Sequence, residues 1–491
     1  MNGPAPARAG AGMTGAGVSP PPALDRLVPR PHQAVARDAI LAARADGRPG
    51  FLLGDLTGLG KTLSVWSAVA AMPEREVLIV APKGALPQWR QTIARAGLAP
   101  KDVTLTNYER SKALLALPEK SARRSARARN NELAREGRPK RRWPLVVFDE
   151  SHRLRNPYSQ QSMACRSVAD AADFVVYLSA TAGQSPHELS YLGALLAHGP
   201  DAPPPTLAGY RELMRRLGIG GAKGRWTSWR WAPNARDRAA MAALLYRGPA
   251  AIGLRRRPED VAGWPEVQRD LAPTALTPSE RRLYDATWRD FRRELGLLGG
   301  ATRRPVGWAA DLRFRQKASL LRIAGTADAA EELLEAGQAV ALSVAYLETA
   351  SFLADALRGR GWRVGTIDGR NTGDANEAAR LAFQTGALDA VVFTVTESIS
   401  LHAGEMPGDH RTRALLVHDM RHSAIQLGQI EGRCHRDGEK AVIHYLYAEA
   451  TVEERIASTV VGRMAAMDGM AGDDTAAIDA LVLRIYGGAA D

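Results

Sequence analysis

Gly54-Asp55-Leu56-Thr57-Gly58-Leu59-Gly60-Lys61-Thr62 lies between a short apolar run, Phe51-Leu52-Leu53, and a helical stretch, Leu63-Ser64-Val65-Trp66-Ser67-Ala68-Val69-Ala70. Strand, glycine loop, Lys-Thr and helix, in that order, are the layout of a phosphate cradle. Gly58 and Gly60, with Leu59 between them, let the backbone turn tightly and aim N–H groups at a phosphate. Lys61 supplies a point charge for β/γ oxygens, and Thr62 offers a hydroxyl to Mg²⁺. The strict pattern has glycine where Asp55 stands, so an ordinary glycine turn is the alternative for the loop taken alone.

The 491 residues are enough for two or three domains with full cores. A formal net charge of +12 makes a polyanion the expected partner, nucleic acid first and a membrane surface second. An Arg- and Ala-favouring codon usage is the plainer source of the same excess. No apolar run approaches the roughly 20 residues that span a bilayer, and the N-terminus lacks the layout of a secretory signal. Cys165 and Cys434 make neither a disulfide framework nor a structural metal site. A soluble, reducing, cytoplasmic setting is the expectation.

Residues 1–23 are Gly, Ala and Pro with almost nothing to bury and are expected to form a disordered tail. From 24 to about 195, apolar runs at 51–53, 77–81, 103–105, 145–148 and 174–178 alternate with helical stretches. Such continuously apolar strands belong to a parallel sheet covered on both faces, hence βαβ units and a doubly wound α/β sheet. Ligands of such sheets sit at the carboxyl ends of the strands, where the Lys61 loop lies. The fourth run ends in Asp149-Glu150, two carboxylates with separate tasks: Asp149 to hold Mg²⁺ and Glu150 to polarise the attacking water. The plainer reading is a polar turn with Asp as a helix cap. The fifth run ends in Ser179-Ala180-Thr181, whose hydroxyls are placed to bond those carboxylates. Gln33, upstream of the loop, is a candidate for the two hydrogen-bonding edges of adenine, against a surface glutamine at a helix start.

Between the third and fourth runs, 120–142 holds ten Lys or Arg against two Glu, a stretch suited to phosphate contacts or to a solvated arm. Arg225-Trp226-Thr227-Ser228-Trp229-Arg230-Trp231 interleaves basic and aromatic groups, as nucleic-acid binding or plain packing would need. A second alternating region has runs at 339–344, 364–367, 390–393, 414–417 and 441–446, which predicts a second α/β sheet. It carries Gln429-Ile430-Glu431-Gly432-Arg433-Cys434-His435-Arg436. Arg433 and Arg436 share a helix face and read as arginine fingers if this lobe faces the first, and as an Arg-rich surface helix otherwise.

This order of motifs resembles the superfamily 2 helicase-like ATPases, and within them the SNF2-type double-stranded DNA translocases, over about 24–456. Asp55 to Thr62 looks like the SNF2 motif I, whose own form also begins with Asp. Ala81-Pro82-Lys83-Gly84-Ala85-Leu86-Pro87-Gln88-Trp89 is similar to motif Ia, and Thr104-Leu105-Thr106-Asn107-Tyr108-Glu109 sits where the next DNA-facing motif is expected. Asp149-Glu150-Ser151-His152 resembles motif II, 252–261 and 276–280 the segment linking the lobes, and 429–438 motif VI. The resemblance implies two RecA-like lobes: an ATP-binding lobe at 24–250, a helical inter-lobe segment at 251–324 and a second lobe at 325–491. It implies ATP and Mg²⁺ as cofactors and catalytic roles for Lys61, Asp149, Glu150, Gln429, Arg433 and Arg436. Lys83, Thr104, Thr106, Ser398 and Ser400 would contact a nucleic-acid backbone, and Ser179 and Thr181 would couple the two sites. The segment Thr396-Glu397-Ser398-Ile399-Ser400-Leu401-His402 departs from the glycine-rich SNF2 motif V and looks rather like the strawberry-notch branch.

The expected activity is a DNA-dependent ATPase that moves along duplex DNA or remodels protein–DNA or branched-DNA complexes. A strand-separating or annealing helicase on DNA or RNA is the alternative within the same class. A nucleotide-gated DNA clamp without turnover is the alternative from another class.

Overall fold

A computed structural model describes residues 27–96, 101–117, 126–183, 186–197, 203–204, 206–219, 235–248, 251–296, 303–394, 399–403, 409–421, 424–436 and 439–468. The 1–23 tail, the 225–231 run, Ser398 and the 118–125 part of the basic insertion lie outside the described residues.

The first lobe is built on β1 (Gly50–Leu53), β2 (Glu76–Ala81) and β3 (Asp102–Asn107). The short β4 (Leu115–Ala116) and β5 (Arg138–Pro139) pair antiparallel at the base of the basic insertion. The sheet continues with β6 (Leu145–Asp149), β7 (Phe174–Leu178) and β8 (Gly253–Leu254). Its order is β3-β2-β6-β7-β1-β8, all parallel. The central strands are buried along their whole length, because α-helices cover both faces. One face packs α1 (Pro31–Ala45), α2 (Lys61–Ala71) and α3 (Leu86–Ala96) around Ile40, Val65, Val69 and Trp89. The other buries Tyr108, Phe148, Tyr177, Leu192 and Tyr210. Each fully buried aliphatic or aromatic side chain contributes about 1.5–3 kcal/mol relative to exposure. The strand order reverses beside β1, so β1, β6 and β7 end together at the rim that carries the phosphate loop.

Where described, the insertion packs against the lobe. Its helix α4 (Ala126–Glu136) buries Ala134 and lies on α5 (Gln160–Asp170). Arg141 pairs with Glu76 at 2.7 Å and Asp102 at 3.1 Å, and Arg142 pairs with Asp173.

The second lobe has β9 (Gln268–Thr274), β10 (Ala339–Ser343), β11 (Val364–Ile367), β12 (Ala390–Phe393), β13 (Arg413–Val417) and β14 (Ala441–Ala448). Its order is β11-β12-β10-β13-β14-β9, again all parallel. The fold is therefore α/β with two doubly wound parallel sheets. The 251–324 segment, expected to be helical, also gives a strand to each sheet: β8 closes the edge of the first and β9 the edge of the second. Its helices, Pro278–Gly296 and Arg303–Leu321, pack together through Tyr284, Phe291 and Phe314. Among the described residues no helix is long and apolar enough to cross a membrane.

Candidate active site

The Lys61 loop turns with Gly58 at φ +99° and Gly60 at φ +72°, a left-handed region that L side chains rarely adopt. The first turn of α2 has no side-chain cap, which leaves its leading amides available to a ligand. Lys61 Nζ donates to the carbonyls of Asp55 (2.8 Å) and Leu56 (3.3 Å) and is parked on its own loop. Burial lowers its pKa, against the charges of Glu150, Asp55 and Asp149. Thr62, half-buried, occupies the second position of α2. Gln33 is buried: its Oε1 accepts from Arg30 N at 2.9 Å and its Nε2 donates to Leu59 O at 3.3 Å. As placed, this amide braces the phosphate loop, so adenine would have to compete for it.

Asp149 and Glu150 are placed by a ladder of aromatics. Phe148 stacks between Tyr108 (6.5 Å) and Tyr177 (5.4 Å), and Tyr108 OH donates to Asp149 O at 2.6 Å. Trp89 Nε1 donates to Asp149 Oδ2 at 2.8 Å, and Glu150 N to Asp149 Oδ1 at 3.0 Å. These bonds hold Glu150 at φ 51°, a left-handed conformation that costs a non-glycine residue on the order of 1 kcal/mol. Burial, with Glu150 adjacent, pushes Asp149 up to about 6. For Glu150, burial is outweighed by His152, Lys61 and Arg433, which hold it down at about 2. The pair is thus split: burial favours the neutral form of Asp149, while the groups around Glu150 keep it ionised.

His152 Nδ1 lies 3.2 Å from Glu150 Oε2 and 3.1 Å from Ser179 Oγ, which also accepts from Thr181 N at 3.2 Å. His152 Nδ1 thus faces both the Ser179 hydroxyl and the buried Glu150 Oε2, which has no hydrogen-bond partner apart from it. The ends of β6 and β7 therefore meet at this histidine.

The second lobe brings Arg433 and Arg436 to the same place. Arg433 Nε donates to Gln429 O at 2.7 Å and its Nη1 to Ile399 O at 2.8 Å, while its charge helps hold Glu150 ionised. Gln429 is buried in the helix Ala424–Glu431, which ends before Arg433 and Arg436, so the two arginines sit on the turn after it and not on one helix face as expected. Arg436 opposes Lys61 electrostatically, and its Cα lies 3.7 Å from where a Cβ on Gly58 would sit. Its Nε is buried and has no hydrogen-bond partner. A Cβ on Gly432 would stand 2.7 Å from Thr57 Cγ2, so the two lobes touch at the phosphate loop.

The expected nucleic-acid residues fare unevenly. Lys83 is exposed just past β2, and Thr104 and Thr106 are half-buried on the edge strand β3, Thr104 Oγ1 accepting from Trp143 Nε1 at 3.4 Å. Ser400 does not line a surface track: it is buried, and its hydroxyl bonds His402 Nδ1 at 2.7 Å. The reason is that Ile399 and Leu401 on either side turn into the second core, carrying Ser400 inward. Trp89, Tyr108, His152 and Arg256 escaped the sequence reading as named site residues. Only the aspartate in place of a motif glycine at 55 signalled one of them: Asp55 is fully buried and paired with Arg256.

Residues 26–184 match the family model described as type III restriction enzyme, res subunit. Protein Chromatin Remodeling 24 of Arabidopsis thaliana is 23% identical over 165 residues, 30% of this chain and 15% of that protein, so the chain matches only a small part of its length. Two solved structures align with most of the chain at lower identity. The Sulfolobus solfataricus SWI2/SNF2 ATPase core in complex with dsDNA is 15% identical with TM-score 0.36, covering 90% of this chain and 92% of that one. Dbp5 of S. cerevisiae bound to RNA and ADP BeF3 is 11% identical with TM-score 0.47, covering 92% and 93%. The family match falls on the lobe that holds Lys61 and Asp149-Glu150, and the second sheet carries two arginines to that lobe.

Proposed function

We propose that the chain is a nucleic-acid-stimulated ATP hydrolase that translocates on duplex DNA or remodels protein–DNA or branched-DNA complexes. The observation that carries this reading is the seat of Arg436 against Gly58, with its Nε buried and unpartnered beside the Lys61 loop. A buried guanidinium nitrogen without an acceptor is costly unless a ligand supplies one, and a phosphate oxygen fits. The uncapped first turn of α2 and the parked Lys61 ammonium suit the same triphosphate.

Mg²⁺, when bound, would neutralise phosphate charge at the Asp149 carboxylate and Thr62 hydroxyl, a hard-oxygen pair that suits it. Lys61 exchanges its bonds to Asp55 O and Leu56 O for phosphate oxygens. Glu150, ionised and buried, orients the attacking water and accepts its proton. Arg433 and Arg436 stabilise charge on the transferring group only while the second lobe is docked, which ties hydrolysis to lobe closure. Unequal grip on the nucleic-acid backbone in docked and undocked states then yields directed motion, with Lys83, Thr104, Thr106 and Ser398 proposed along the track and Ser179 and Thr181 as couplers.

The test is an ATPase titration of the whole chain against duplex, single-stranded and branched DNA, and RNA. Stimulation greatest with duplex or branched DNA supports the proposal. Stimulation by RNA or single strands alone moves the reading to a strand-separating helicase, and no turnover with any of them moves it to a clamp.

A further inference from the structure

The segment 256–265 joins the two sheets, and each of its ends grips a catalytic element on its own side of the cleft. At the first end, Arg256 N and Nε donate to Asp55 Oδ1 at 2.9 and 3.2 Å, and Nη2 to Asp55 Oδ2 at 2.5 Å. Arg256 Nη1 donates to His32 O, and Arg256 O accepts from Leu56 N at 2.9 Å. One residue thus holds the start of the phosphate loop and the helix bearing Gln33. At the other end, Pro265 O accepts from His435 Nε2 at 3.0 Å, and Arg269, on β9, donates to both oxygens of Glu431 at 2.6 and 2.9 Å. Glu431 and His435 bracket Arg433 and adjoin Gly432 and Arg436. In between, the His32 ring meets Trp264 edge to face at 5.8 Å.

We infer that 256–265 is a strap that sets the height of the arginine-bearing turn over the phosphate loop, with Arg256 as its positioning residue. This rests on the proposed ATPase reading for its kinetic consequence, but not for its structural one. Asp55 is fully buried, and a buried carboxylate holds its place only through its partner. A shift of the strap therefore reaches the Lys61 loop through Asp55 and Leu56, and reaches Arg433 and Arg436 through His435, next to the Arg269–Glu431 pair at the start of β9. Neither Arg256 nor the strap touches the reacting groups. The Asp55 that breaks the glycine pattern is, on this view, the anchor point of the strap.

Three changes test it: Arg256→Lys, which keeps the charge and loses the fork, Arg256→Ala, and a Gly-Gly insertion after Gly263, which leaves both grips intact but lengthens the strap. Amide hydrogen exchange in the full chain should rise at 54–62 in both Arg256 variants and also across the cleft at 431–436, where Arg256 makes no contact. Affinity for a fluorescent ATP analogue should fall about tenfold in Arg256→Ala, with Arg256→Lys between it and the parent. The longer strap should lower kcat at least tenfold while analogue affinity stays within about threefold. Exchange confined to 54–62 in the Arg256 variants, or unchanged kcat with the longer strap, overturns the inference. A parent chain that neither binds the analogue nor turns over ATP fails the ATPase reading instead, while the exchange pattern still decides the strap.

Discussion

Gly432→Ala is the perturbation that isolates lobe contact from everything else in the site. The added methyl would stand 2.7 Å from Thr57 Cγ2 and 3.1 Å from Thr57 Cβ, whereas carbons rest at about 3.5–4.0 Å. The overlap is roughly 1 Å, and Thr57 is β-branched with little freedom at χ1. The strain is relieved most readily by lifting the arginine-bearing turn away from the loop by about that distance. A displacement of about 1 Å between reacting groups costs on the order of 10²-fold in rate. Steady-state ATPase with saturating nucleotide and nucleic acid should therefore show kcat down by roughly 10². Nucleotide affinity should stay within about threefold, because Lys61 and the α2 amides belong to the other lobe. Thr57→Ser removes the opposing methyl and should restore most of the loss in the double variant. Parent-like turnover in Gly432→Ala, or a loss that Thr57→Ser does not repair, would show that the lobes do not meet here during hydrolysis.

Glu150→Gln should retain nucleotide binding and abolish turnover, measured by analogue binding and phosphate release; unchanged turnover would remove Glu150 as the base. Trp89→Phe deletes the bond to Asp149 Oδ2 and should reduce turnover several-fold at low Mg²⁺, recovering as Mg²⁺ is raised; equal activity at all Mg²⁺ levels contradicts that role. His418 is buried between Ser319 and Thr326, and burial lowers its pKa to about 4 from 6.5. The unfolded chain therefore takes up a proton first, so stability is present above about pH 6.5 and falls as pH drops toward 4, by up to about 3 kcal/mol. His418→Gln should flatten that part of a denaturant-melt pH profile, and an unchanged slope would refute it. Arg141 and Arg142 spend their charge on Glu76, Asp102 and Asp173, so replacing both with Ala should leave the salt slope of DNA binding within about one unit. A fall of two units would make them phosphate ligands.

The central strands were legible because each is a short continuous apolar run, most with β-branched residues, the pattern of a strand covered on both faces. β8 and β9 were not. β8 is two residues long, and β9 is an edge strand with Gln268, Arg269, Asp270 and Pro273, which carries none of the buried-strand pattern. The Lys61 loop and the Asp149-Glu150 pair were legible because the proposed phosphate chemistry demands those residue types at that spacing. Ser400 was misplaced because its hydroxyl looks the same in sequence whether its apolar neighbours face in or out. The Asp55–Arg256 pair spans 201 positions, and no local pattern joins residues that far apart. The same holds for Pro265 and His435.

The proposed hydrolysis depends on a guanidinium from the second lobe reaching a triphosphate held by the first. Single-turnover ATP hydrolysis by Arg436→Ala, with nucleotide affinity measured alongside, tests this most directly. The rate should fall by roughly 10³ or more at near-parent affinity. A parent-like hydrolysis rate in that variant would contradict it.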